Sequence, residues 1–267
     1  MKLTKLFSMM VMLAIACALF TTKASAALDE GPQLDDTKDY YALIVTNQGN
    51  IRVKLKTDIA PIAVRNFVNL AEGTREFKDT KGNTAKRPYY NGIIFHRVGP
   101  NFMIQGGDPT GTGSGDPGYS IKDEYNAKHV YDKGGYLAMA RTNAPNSGGS
   151  QFFVTEGPTP FLSGQYTQFG EVIGSEDIDV VKKIARVPLA ARNPDGTGKP
   201  AKDVVIERIN VIRVAKGTAA DKVDFNAAPA AAPKAEEKKA EEKKTEAPKA
   251  EEKKADEAKT EDKKDSK

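Results

Sequence analysis

Hydrophobic and polar positions begin to follow a period at Tyr40. Leu43 and Val45 interleave with Ala42 and Ile44, all apolar, which predicts a strand buried on both faces. Asn47, Gln48, Gly49 and Asn50 make a turn. Beyond it Ile51, Val53 and Leu55 alternate with Arg52, Lys54 and Lys56, a second strand with one wet face. Asp58 stands at an N-cap position and Pro61 in a first helical turn, where its missing N–H costs nothing. Val64, Phe67, Val68 and Ala71 carry the i, i+3, i+4, i+7 spacing and Gly73 follows as a C-cap, so a helix of about four turns is predicted. Residues 93–172 are short β-like pieces divided by Gly and Pro. A second helix starts at Ser175, turns Ile178, Val181 and Ile184 inward and ends before Pro188, and residues 204–214 alternate again. Many short strands with two isolated helices predict a mainly β fold, a closed barrel capped by helices, because closure removes exposed edges.

Outside this patterned region the composition changes, and the average of 28% charged and 39% hydrophobic residues describes no part of the chain well. Lys2 and Lys5 precede an apolar stretch, residues 6–20, and Ala24-Ser25-Ala26 offers a small-x-small cleavage site. The stretch is short of the roughly 20 apolar residues a spanning helix needs. Residues 1–26 are therefore expected to be a signal peptide, with no stable membrane insertion after cleavage and the periplasm as the address. A competing reading takes Leu13-Ala14-Ile15-Ala16-Cys17 as a lipoprotein box that would anchor the chain through Cys17. Cys17 is the only cysteine, so cleavage after Ala26 leaves no disulfide, thiol nucleophile or cysteine metal ligand. Residues 27–38 are polar and punctuated by Gly31-Pro32, which predicts a linker. From 217 onward the chain is rich in Ala, Pro, Lys and Glu, with Ala-Glu-Glu-Lys-Lys units at Ala235, Ala240 and Ala250. A five-residue period without an apolar stripe has no core to offset ordering entropy, so a disordered tail, 217–267, is expected. The net charge of +4 comes mostly from the leader, so no nucleic-acid surface is expected.

The chemistry concentrates in residues 39–216. Phe95-His96-Arg97-Val98-Gly99-Pro100-Asn101-Phe102-Met103-Ile104-Gln105-Gly106-Gly107-Asp108 reads as two strand pieces around a Gly-Pro bend, with an Arg set among apolar neighbours. Such a charge is paired, presented to a ligand, or snorkels from a strand edge. His96 and His129, the only histidines, lack a paired-carboxylate motif and suggest neither a metal site nor a triad. Ser147 and Ser150 lack the nucleophile-elbow pattern, Asp108 reads as a turn residue, and Phe95, Phe152 and Phe169 read as core.

That stretch resembles the signature of the cyclophilin family of peptidyl-prolyl isomerases. Two further segments agree: Tyr136-Leu137-Ala138-Met139-Ala140-Arg141 with Ser147-Gly148-Gly149-Ser150-Gln151-Phe152-Phe153, and Phe161-Leu162-Ser163-Gly164-Gln165-Tyr166-Thr167-Gln168-Phe169-Gly170. The resemblance covers 39–216 and implies a closed eight-stranded antiparallel barrel with two capping helices. It implies that Arg97, Phe102 and Gln105 are catalytic. Met103, Phe153 and Leu162 complete a proline pocket with Phe102, and Gln151 contacts the substrate backbone. Ala140 and Arg141 line a neighbouring groove, and Gly111 and Thr112 lie in the loop flanking it. Phe161 and Tyr166 stand where eukaryotic members carry Trp and His. Tyr166 is similar to the bacterial exported branch, and the lost indole N–H at Phe161 implies weak cyclosporin binding with turnover retained. Segment 75–87 is longer than in compact members.

The implied partners are proline-containing polypeptides, met by a monomer, since no exposed apolar seam suggests assembly. Rotation about a prolyl amide breaks no bond, so no nucleophile, metal or cofactor is called for. Two other functions share the same features: a holdase that grips Pro-containing segments without turnover, and a surface scaffold in which the tail matters more than the barrel.

Overall fold

The computed structural model describes residues 28–126 and 129–226. The readings of residues 1–26 as leader and of the Ala/Glu/Lys repeats as tail lie outside the described residues. The chain divides between residues 234 and 235, and everything described falls on the N-terminal side.

The first hairpin forms as its pattern predicts. β1 (Lys38–Thr46) buries every residue from Tyr40 to Thr46, whereas β2 (Gly49–Leu55) buries only Ile51, Val53 and Leu55. Helix α1 (Pro61–Glu72) carries Pro61 in its first turn and stops at Gly73, whose φ of 72° is left-handed. A Cβ at Gly73 would stand 2.3 Å from the Arg87 carbonyl carbon, so both conformation and space require glycine there. Asp58 is not the cap. It is exposed, and Ala60 occupies the N-cap without a side-chain bond. Glu124 does the work from another loop, its two carboxylate oxygens accepting the N–H groups of Ile62 at 3.1 Å and Ala63 at 2.8 Å. A carboxylate serves the unpaired N–H groups of a first turn equally well whether it comes from the adjoining residue or from afar.

The 75–87 segment folds as its own small hairpin, β3 (Phe77–Lys78) with β4 (Thr84–Ala85). Then come β5 (Arg97–Gly99), β6 (Met103–Gly106), β7 (Tyr136–Met139), β8 (Phe152–Thr155) and β9 (Gln168–Val172). Helix α2 (Ser175–Ala185) precedes β10 (Leu189–Arg192), β11 (Gly198–Pro200) and the long β12 (Ile206–Ala215). The large sheet runs β10-β11-β5-β6-β8-β7-β9-β2-β1-β12, with every pairing antiparallel.

This corrects the closed eight-stranded barrel. The ladder has ten strands and is open, because the β10–β11 hairpin adds two short strands beyond β5. What would be the closing seam is irregular: residues 92–95 meet 204–206 through a single bridge, Ile94 with Val205. Backbone bonds from Phe95 N to Val204 O (2.9 Å) and from Ile206 N to Ile93 O (2.8 Å) flank it. Both helices turn their apolar faces to the core of the curled sheet. Phe67 of α1 touches Tyr90, Phe152 and Phe169 with ring centroids 5.2, 5.6 and 5.3 Å away, and Val181 and Ile184 of α2 join the same core.

Residues 28–37, expected to be a linker, are fastened to the domain. Asn69 Nδ2 donates to the carbonyls of Glu30 (3.0 Å) and Pro32 (2.9 Å), and Arg65 Nη2 to that of Gly31 (2.9 Å). The described start of the expected tail also packs. Tyr41 donates to Thr218 O at 3.2 Å and meets the ring of Phe225 edge-on at 6.0 Å.

His96 and His129 are only 7% and 6% exposed, and burial lowers both imidazoles below their ordinary value of 6.5. In acid the unfolded chain therefore binds more protons than the fold, and stability rises with pH below about 6.5. Denaturant unfolding is expected to give a lower midpoint at pH 5.5 than at 7.5, with a slope below about 1.4 kcal/mol per pH unit for each imidazole. His96→Gln should shrink that difference; an undiminished slope would assign the effect elsewhere.

Candidate active site

The strand period of two places the site. On β6, β8 and β7 the residues Ile104, Phe152, Val154, Leu137 and Met139 point into the main core, while Met103, Phe153 and Ala138 form a second apolar cluster on the outer face. Register then sets the row across this outer face. Arg97 on β5 is paired with Gln105 on β6, Gln105 with Phe153 on β8, and Phe153 with Ala138 on β7. Residues scattered over more than fifty positions thus become neighbours because side chains at paired sites share a face.

The outer cluster encloses a pocket of about 150 Å³ lined by Arg97, Phe102, Met103, Gln105, Ala140, Arg141, Phe153, Leu162 and Tyr166. Met103, Phe153 and Leu162, at 1%, 5% and 7% exposure, supply its buried apolar part, while Arg97, Gln105 and Arg141 make the rest of the lining polar. Tyr131 is fully buried behind Phe153, its ring stacked 6.3 Å away, and donates from its hydroxyl to Tyr166 O at 3.4 Å. A space of this size admits one small ring. Phe161 does not line it. It stands at the rim, 62% exposed, with its ring 5.6 Å from Phe102.

Arg97 is held on three sides. Its Nε donates to Thr197 Oγ1 (3.0 Å), Nη1 to Gln105 Oε1 (3.1 Å) and Nη2 to Asp195 Oδ2 (2.6 Å), and Cζ lies 5.6 Å from the Phe102 ring centre. Asp195 accepts further bonds from Thr197. These first, and Arg97 next, hold its carboxyl down at about 2. Gln105 passes the chain on, donating to Gln151 Oε1 at 3.0 Å, and Gln151 Nε2 donates to the carbonyls of Gly113 and Gly115 at 3.0 and 2.9 Å.

Gln151 therefore spends its amide on protein partners. Its place is in a second depression of about 370 Å³ that it shares with Gln105, Ala140 and Arg141, beside residues 113–116. Arg141 is fixed there by Gln165 O (3.0 Å) and Thr142 O (3.0 Å), between the rings of Tyr125 and Tyr166. Gly111 and Thr112 line neither cavity. They belong to the loop behind the second one, and Asp108 organises that loop. Buried to 1% exposure, Asp108 accepts from Thr110 N and Oγ1 (both 2.7 Å), Thr112 N (3.1 Å) and Gly113 N (2.5 Å). Burial pushes its carboxyl up, but these bonds outweigh it and the net shift is downward. A Cβ at Gly115 would fall 2.0 Å from Asp108 Oδ1, so the loop closes only around glycine. Asp108→Ala is expected to cost about 2–3 kcal/mol, since bonds to a charged acceptor are lost. Amide exchange at Thr110, Thr112 and Gly113 should accelerate most; unchanged exchange there would refute this role for the carboxylate.

The structure brings Arg97, Phe102, Met103, Gln105, Phe153 and Leu162, all named through the family resemblance, together around one pocket. Sequence reading missed Tyr131, Asp195 and Thr197. Asn193-Pro194-Asp195-Gly196 was a legible turn, but nothing local told that it lies over Arg97.

Residues 41–211 match the family described as cyclophilin type peptidyl-prolyl cis-trans isomerase/CLD. Peptidyl-prolyl cis-trans isomerase A of Mycobacterium tuberculosis is 44% identical over 171 residues, covering 64% of this chain and 91% of that protein. Peptidyl-prolyl cis-trans isomerase B of Streptomyces anulatus is 45% identical over 172 residues, covering 64% and 95%. A cyclophilin type peptidyl-prolyl cis-trans isomerase of Cryptosporidium parvum, crystallised in the presence of the dipeptide Ala-Pro, superposes with a TM-score of 0.51 at 34% identity over 63% of this chain and 96% of that one. With the match spanning nearly all of the large sheet and both helices, the chain belongs to the cyclophilin-type peptidyl-prolyl cis-trans isomerase family.

Proposed function

We propose that this peptidyl-prolyl isomerase acts on X–Pro bonds of exported or unfolded polypeptides, assists their folding, and twists the prolyl amide with Arg97 and without a covalent intermediate. The observation that carries the reading is a guanidinium clamped at the mouth of a small, partly apolar pocket. Resonance sets a rotation barrier of roughly 18–20 kcal/mol at the amide. Cis and trans differ by only about 0.5–1 kcal/mol and exchange in tens to hundreds of seconds unaided, so catalysis is a matter of rate alone.

In the twisted amide resonance is lost and the proline nitrogen gains a lone pair. A fixed donor aimed at it stabilises the transition state more than either ground state. A guanidinium has five N–H donors, and three of them are engaged by Thr197, Gln105 and Asp195. One hydrogen on each Nη is left for the substrate. Phe102, Met103, Phe153 and Leu162 hold the proline ring, and Gln105 orients the carbonyl side. The second depression receives residues before the proline.

The leader sequence supports export to the periplasm, with a mature chain from Ala27. Phe161 supplies no N–H donor at the rim, which supports weak cyclosporin binding. Two measurements test the proposal. Purified residues 27–267 should speed cis–trans exchange of a short Ala-Pro peptide, read by NMR line shapes or exchange cross-peaks. Retention of the peptide without acceleration would make the protein a holdase. Intact mass of the protein from a cell fractionation should correspond to cleavage after Ala26; a lipidated Cys17 would overturn the soluble address.

A further inference from the structure

The turn between β10 and β11 reaches across to Arg97, although nearly a hundred residues separate them in sequence. The turn is rigid. Asn193 N donates to Thr197 O (2.7 Å), Gly196 N to Asn193 O (2.9 Å), and Arg192 Nη1 to Gly196 O (3.1 Å). Gly196 adopts a φ of 82°, which favours glycine. It is also seated tightly on β5: a Cβ at Gly99 would stand 2.8 Å from Thr197 Cγ2.

Within this turn the two oxygens of Asp195 have separate tasks. Oδ1 accepts from Thr197 N (3.0 Å) and Thr197 Oγ1 (2.6 Å), which locks the carboxylate to the turn. Oδ2 is thereby aimed at Arg97 Nη2 at 2.6 Å. Thr197 Oγ1 meanwhile accepts from Arg97 Nε at 3.0 Å. The guanidinium is thus gripped along its Nε–Nη2 edge by one turn and at Nη1 by Gln105 from β6, which fixes both the position and the tilt of its plane. The Arg97 and Asp195 side chains are 33% and 48% exposed, and an ion pair so open to solvent adds little to stability. What it supplies is direction, because a planar fork held at two edges has no rotational freedom left.

We infer that Asp195 is a positioning residue for the isomerisation, acting through Arg97 to hold the guanidinium in its reactive orientation, an inference that rests on the role proposed above for Arg97. Thr197 is its partner in this task. Neither residue touches the pocket itself.

The experiment is a double-mutant cycle on residues 27–267, with kcat and KM measured on the same Ala-Pro peptide between pH 5 and 8. Asp195→Ala is expected to lower kcat about tenfold with KM within about twofold, as a misdirected catalytic group would. Asp195→Asn keeps a single acceptor oxygen, which can serve Nη2 or Thr197 N but not both, and should recover only part of the loss. Thr197→Val, which removes the Nε acceptor, should share the defect. Because the carboxyl stays ionised throughout this range, the size of the Asp195→Ala effect should not change with pH. In an Arg97→Ala background, Asp195→Ala should cost nothing more. Parental or faster turnover in Asp195→Ala, with Arg97→Ala impaired, would overturn the inference alone. An equal further loss in the Arg97→Ala background would overturn it too, by showing that Asp195 acts through the fold. Parental turnover in Arg97→Ala would remove the reading of the site on which it stands.

Discussion

Arg97→Ala is expected to lower kcat for an X–Pro peptide about 10²–10³-fold while leaving peptide affinity within about threefold of the parent. The asymmetry follows from where the contacts lie. Binding draws on Phe102, Met103, Phe153 and Leu162, and of these Phe102 loses its contact with Arg97 Cζ while Met103, Phe153 and Leu162 stay packed in their own cluster. The donor matters only when the amide twists and its nitrogen acquires a lone pair, so its removal is felt in the transition state. Gln105 would keep Gln151 as a partner at 3.0 Å, which limits collapse of the neighbouring groove. Arg97→Lys should restore less than a tenth of the lost rate. An ammonium on a flexible stem is one charge centre, and it cannot reach Thr197, Gln105 and Asp195 together and still present a planar edge. Titration of the peptide by NMR alongside exchange measurements separates the two quantities. A kcat at the parental level in a folded Arg97→Ala protein would sink the proposed mechanism.

The largest effect on stability is expected at Phe67. Its side chain is fully buried where α1 meets the sheet, against Tyr90, Phe152 and Phe169 at once. Phe67→Ala should cost about 3–5 kcal/mol, combining lost transfer energy with the cavity left among rings that cannot close over it. For a domain of this size the thermal midpoint should fall by about 10 °C or more. Phe225→Ala is the contrast. That ring is half-buried at the domain edge, 6.0 Å from Tyr41 and beneath Arg52 at 5.8 Å, and its loss should cost about 1 kcal/mol. Urea unfolding of both variants decides the matter. Equal losses would mean that the core behind the site is not organised around α1.

These two residues also show which parts of the protein are legible along the chain. Phe67 could be placed in the core from spacing alone, because a 3.6-residue period with Val64, Val68 and Ala71 leaves only one face to bury. β2 could be read in the same way, since a half-wet strand writes its period of two directly into the sequence. The outer-face placement of Met103, Gln105 and Phe153 also follows from that period once the strands are known. Arg97 and the pocket residues were identified because three motifs resemble a known family, in which residue types are tied to chemistry.

Other features depend on contacts that leave no local trace. Glu124 caps α1 from a separate loop, and the exposed Asp58 could not be distinguished from a working cap by position alone. Residues 28–37 carry the polar composition of a linker, yet their backbone carbonyls satisfy Asn69 and Arg65. A carbonyl belongs to every residue type, so such bonds cannot be read from composition. The expected closed barrel failed for a related reason. Closure depends on whether the edge strands meet in register, and here residues 92–95 meet 204–206 through one bridge while β10 and β11 extend the ladder.

By itself the sequence determined the two helices and the alternation of the long strands, and its resemblance to a known family implied the pocket residues and the cation beside them. All of these rest on interactions between residues close in the chain or on motifs of fixed spacing. Only the tertiary structure decided what the cation is aimed by. Asp195 and Thr197 reach Arg97 because sheet pairing brings β11 beside β5, and the direction of a side chain is set by neighbours in space, which local pattern does not encode.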